Sequence, residues 1–81
     1  MDSVTTLEGP VESVDGQLML CIPLEAGGRD FVSCTRGIGK VEGDFLFIEI
    51  KEWLADKLGI YEGSVVTINN ENGRFNIFLS N

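Results

Sequence analysis

Residues 50–79 read IKEWLADKLGIYEGSVVTINNENGRFNIFL, and the hydrophobic period changes within them. Ile50, Trp53, Leu54 and Leu58 recur at the i, i+3, i+4, i+8 spacing of one helical stripe, while Lys51, Glu52, Asp56 and Lys57 fall off it. The spacing predicts a short amphipathic helix over 50–58. Gly59 supplies a left-handed stop, and Ile60 can fold back on the last turn. Glu62 and Gly63 then turn the chain into a strand at VVTI. Asn69 to Gly73 form the loop before RFNIFL, where Phe75, Ile77 and Leu79 share one face and Phe78 takes the other.

Upstream, the signals are those of strands. FLFIEI at 45–50 is apolar at both alternate sets of positions, as in a strand covered on both sides, and Gly43 and Asp44 turn the chain into it. Leu18, Leu20 and Ile22 alternate with Gln17, Met19 and Cys21. Asp15 and Gly16 are a turn signal and Pro23 a stop, so 11–23 is expected to be a hairpin. LEAGGRD at 24–30 is a loop, because paired glycines disfavour a helix. Phe31 to Thr35 is expected as a strand that continues irregularly through Gly37 and Gly39. The strand–turn–strand segments at 32–47 and 65–78 echo one another, as a duplicated unit would. The fold class is therefore mainly β: a small barrel of five or six strands with one short helix near 50–58. Residues 1–8 are expected to be a flexible N-terminal segment and 9–81 a single small β-barrel domain.

Composition narrows the function classes. A chain of 81 residues has room for one small core, to which dimerisation would add buried area. No apolar run reaches the ~20 residues of a membrane helix, and the start, MDSVTTLEGPVESV, lacks the basic and apolar regions of a signal peptide. A cytoplasmic location without membrane association is expected. Six Lys and Arg against 13 Asp and Glu leave a net charge of −7, which opposes general affinity for phosphate backbones. Arg29, Arg36 and Lys40 lie within one segment and are the candidate anion or nucleic-acid contact. TRGIGK at 35–40 carries the two glycines of a small backbone nest, or simply of a turn.

Reactive chemistry has few candidates. There is no histidine, so histidine acid/base catalysis is excluded and Cys21 and Cys34 alone cannot complete a four-ligand zinc site of nitrogen and sulfur. No cofactor is implied. Both cysteines sit in strand-like apolar contexts that suit small buried side chains better than reactive thiols. Glu49, Glu52, Asp30 and Ser33 are the loose catalytic candidates, and none comes with a partner that would tune it. Trp53, the sole tryptophan, either packs onto the sheet or faces outward as an interface anchor, and Phe78 has the same two readings.

The segment IEIKEWLADKLGIYEGSVVTINNENGRFNI, residues 48–77, resembles the AbrB/MazE swapped-hairpin family. In that pattern a strand runs into a short helix ending in Leu-Gly, then an apolar residue, a Gly-containing turn and a terminal hairpin. Leu58, Gly59, Ile60, Glu62, Gly63, Val65, Val66, Gly73 and Ile77 stand where it wants them. SVDGQLMLCIPLEA at 13–26, with its Ile22-Pro23 step, looks like the family's opening strand, although Gly27 and Gly28 break the helix that should follow. Related cradle-like small barrels share the helix and turn. The resemblance implies a swapped-hairpin homodimer. It also departs from the family's DNA binders: Gly43 and Asp44 precede the strand, Ile50-Lys51 replaces Ile-Pro, and Ala55 stands where an arginine is expected. The reading is therefore a non-enzymatic, antitoxin-like assembly or regulatory domain that binds a protein partner. An AbrB-like DNA-binding regulator and a barrel for a small anion or other ligand are the alternatives.

Overall fold

Two-residue turns set the architecture. Asp15-Gly16 (φ 52° and 80°) and Asn72-Gly73 (φ 54° and 90°) hold both central residues at positive φ, the mirror-image turn whose twist matches paired strands. The first joins β1 (Val4–Val14) to β2 (Gln17–Pro23), and the second joins β5 (Val65–Glu71) to β6 (Arg74–Leu79). Gly43-Asp44 joins β3 (Gly39–Glu42) to β4 (Phe45–Glu49). The computed structural model describes residues 4–80.

The six strands form one antiparallel sheet in the order β3-β4-β2-β1-β5-β6. β1 is shared between two halves: Val4 to Pro10 pair with β5, and Val11 to Val14 pair with β2. Proline has no N–H to donate, and the β1–β2 ladder ends beside it at Val11↔Leu20. Val4 to Glu8, expected as a flexible lead-in, instead pair in register from Val4↔Glu71 to Glu8↔Thr67. The rest of that expected segment, residues 1–3, lies outside the described residues.

Strand pairing does not close the sheet into a barrel, because β3 and β6 remain its edges. Three 3-10 turns, Leu24–Ala26, Gly28–Phe31 and Ser33–Thr35, cross the inner side and pack against β4 and β6. They replace the strand expected over Phe31 to Thr35. Phe31 and Thr35 are buried with Val32 and Ser33 exposed between them, a helical rather than a two-residue period. The Thr35 hydroxyl donates to the Phe31 carbonyl at 2.7 Å, and the Phe31 ring meets Phe75 edge-on at 6.3 Å. Gly28 is buried where a Cβ would lie 2.8 Å from the Pro23 carbonyl, so the turn closes on the end of β2 only with glycine there.

The helix is shorter than its stripe. It spans Glu52–Leu58 (α1) and ends at Gly59 (φ 73°), whose successor Ile60 donates its N–H to the Ala55 carbonyl at 2.8 Å. Ala55 is its buried residue, with Leu54 and Leu58 half-buried. Trp53, two residues and so roughly 200° round the helix from Ala55, is 65% exposed. Ile50 precedes the helix and is held by its own N–H on the Leu18 carbonyl. The core joins Val11, Leu20, Ile22, Phe31, Leu46, Ile48, Ile50, Ala55, Ile60, Val66 and Ile68.

The two outer hairpins are not copies of one topology. β3–β4 joins the sheet through its second strand and β5–β6 through its first.

Candidate functional site

Strand side chains alternate between faces, so the residues opposite the core lie on an outer face. On β2 and β4, Leu20, Ile22, Leu46 and Ile48 are buried, which sends Met19, Cys21, Phe45 and Phe47 outward. The register aligns Cys21↔Phe47, Lys40↔Phe47 and Pro23↔Phe45, and the Phe45 and Phe47 rings lie 6.3 Å apart. Beside them is a groove of about 570 Å³, lined by the half-buried Met19, Ile38 and Phe47, by exposed Val14 and by the polar Asp15, Gln17, Lys40, Glu42 and Glu49. Apolar residues at both sets of strand positions pointed to a sheet wrapped on both sides. In the structure one of those sides is only partly covered, with Met19, Cys21 and Phe47 half-buried and Phe45 exposed.

The other half has a different outer face. Thr6, Glu8, Val65, Thr67, Asn69 and Asn76 occupy the equivalent positions, and two side-chain hydrogen bonds involve them. The Asn76 Nδ2 donates to the Asn69 Oδ1 at 2.8 Å, and the Thr67 and Ser80 hydroxyls are 2.8 Å apart. Phe78 stands on this polar face, 48% exposed. Trp53 and Phe78, the interface candidates, are thus both presented outward. A smaller hollow of about 340 Å³ lies at Tyr61, Glu62, Ser64, Val65 and Leu79.

Two of the three basic candidates form exposed ion pairs. Arg29 pairs with Glu25 at 3.2 Å and Lys40 with Glu42 at 3.4 Å, leaving Arg36 exposed in the loop before β3 with no ion pair among the described residues. Within TRGIGK the Ile38 N–H donates to the Thr35 carbonyl at 3.1 Å. One amide of the expected nest is therefore used by the turn itself. The catalytic candidates are separated: Glu49 lines the groove and pairs with Lys51 at 3.2 Å, whereas Glu52, Asp30 and Ser33 do not line it. Among the described residues no cluster of three or more His, Cys, Asp or Glu side chains is placed to hold a metal ion, and no helix is long and apolar enough to cross a membrane.

Burial pushes the Cys21 thiol above the ordinary thiol range, with the Glu12 charge adding to the shift. Burial also raises Cys34, whose thiol donates to the Phe31 carbonyl at 3.5 Å. Both cysteines are free, and at neutral pH both are protonated and poor nucleophiles. On the outer face Cys21 acts as a small apolar side chain.

No protein-family model, curated protein or solved structure matches the chain. The site therefore rests on its own geometry. Sequence reading had picked out the aromatic residues of α1 and β6 but not the outer face of β2 and β4. The signal was present in the alternate residues Met19, Cys21, Phe45 and Phe47. It was hidden because an outward apolar set and a second buried set read identically in sequence.

Proposed function

We propose that this chain is a non-enzymatic, protein-binding assembly or regulatory domain, antitoxin-like in the sense its resemblance implies. One observation carries the reading: the outer side of β2 and β4 groups the half-buried Met19, Cys21 and Phe47 beside the exposed Phe45, while the equivalent side of β5 and β6 carries the Asn69–Asn76 and Thr67–Ser80 hydrogen bonds, with Val65 and Phe78 as its exposed apolar residues. Apolar side chains left partly uncovered beside a polar rim are a feature of interaction surfaces. Trp53 and Phe78 are assigned to self-association as a homodimer. In the swapped-hairpin form of that dimer, a second copy meets the open edges of the sheet and completes a barrel.

The experiment is the solution mass by light scattering across concentrations, followed on the same sample by titration with duplex DNA at low salt. The proposal expects a dimer and no binding. DNA binding that weakens steeply with salt would overturn it in favour of a transcriptional regulator.

A further inference from the structure

We infer that the groove between Met19 and Phe47 receives a basic, amphipathic peptide segment of a different protein, one apolar side chain seated on the floor and lysines or arginines meeting the rim. The inference rests on the protein-binding reading above and adds the chemistry of the partner. Its ground is the charge around an apolar floor: Asp15, Glu42 and Glu49 stand on the lining against Lys40 alone. Glu12, whose Cα partner across the ladder is Met19, adds a fourth carboxylate close enough to raise the Cys21 thiol.

The cations nearby do not cancel this rim. Lys40 answers Glu42 and Lys51 answers Glu49, each through a single carboxylate oxygen. A carboxylate has two oxygens and about four acceptor positions, so each retains capacity for an incoming guanidinium or ammonium. Asp15, at the tip of the β1–β2 turn, has no ion pair among the described residues. An acidic segment would meet like charge from Asp15, Glu42 and Glu49. A second copy docked groove to groove would do the same, because its own Glu12, Asp15, Glu42 and Glu49 would face these. At roughly 8–10 Å of screening length, such rim charges still act on one another across a docked peptide. Specificity of this kind comes from repulsion of the wrong partner as much as attraction of the right one.

The test titrates isotope-labelled full-length protein with a short synthetic peptide of alternating leucine and lysine, and in parallel with the leucine–glutamate peptide of equal length. The expected result is saturable movement of the Met19, Lys40, Phe47 and Glu49 amide resonances with the lysine peptide alone. Glu42→Gln with Glu49→Gln should weaken that binding about tenfold and flatten its dependence on salt. Phe47→Ala should weaken it at all salt concentrations, with the remaining resonances unmoved to show that the fold is kept. If both peptides reach the groove equally, the charge assignment is overturned while the protein-binding reading stands. If the lysine peptide moves resonances outside the groove, the assignment to this site is overturned. If neither peptide binds and duplex DNA moves resonances instead, both readings fall together. Groove resonances that shift with protein concentration alone would replace the foreign peptide with a second copy.

Discussion

Gly28 and Trp53 show how differently single residues are constrained here. A Cβ at Gly28 would meet the carbonyl oxygens of both Pro23 and Ile22, at 2.8 and 3.1 Å, and backbone cannot move aside as a flexible side chain can. Gly28→Ala is therefore expected to destabilise by about 1–3 kcal/mol, read as a lower urea midpoint with unchanged slope. Trp53→Ala removes an exposed ring and should change stability by no more than about 0.5 kcal/mol while dissociating the dimer, checked by denaturation and light scattering. Global unfolding of that variant would return Trp53 to the core. The thiols predict a pH effect. Cys21 and Cys34 have raised values in the folded chain, so their contribution to stability is complete below the ordinary thiol range and is lost as pH rises through the raised values. Urea midpoints should fall on the alkaline side, and Cys21→Ser with Cys34→Ser should remove that part of the fall.

At the level of elements, the hairpins and the helix were legible because their punctuation is local. Asp15-Gly16 and Leu58-Gly59-Ile60 each carry a conformational requirement that needs no knowledge of the rest of the chain, whereas the loop expected over Asn69 to Gly73 narrows to Asn72-Gly73 because Asn69, Asn70 and Glu71 pair with β6. The segment 24–35 was not legible in this way. Phe31 and Thr35 share a face in either a strand or a helical turn, and only the exposure of Ser33 between them, a tertiary fact, distinguishes the two. Which of its two readings Trp53 takes was hidden for a related reason: the stripe counted from Ile50, but the helix begins at Glu52 and turns Ala55 inward, leaving Trp53 exposed. Because the 3-10 segment fills the space between β4 and β6, its anchor is expected to matter as a core residue does. Phe31→Ala should cost about 3–5 kcal/mol in denaturant unfolding, whereas Val32→Ala, at an exposed position, should change little.

Across the whole molecule, charge and shape assign different work to the two outer faces. The β1–β5–β6 side carries side-chain hydrogen bonds between its polar residues, and the β3–β4–β2 side leaves Phe45 exposed and Met19, Cys21 and Phe47 half-buried beside an acidic border. Net acidity was readable from composition, but its placement around an apolar floor needed the strand register. The candidate anion site lost ground at this scale as well, since Glu25 and Glu42 each answer one of its cations. The central claim is that the outer face of β2 and β4 is where this protein meets its partner. The most direct measurement is side-by-side capture from a cell extract by the unaltered chain and by a folded Phe45→Ser, Phe47→Ser variant. The account predicts a bound protein held by the first and lost from the second, and capture of the same protein in equal amount by both would contradict it.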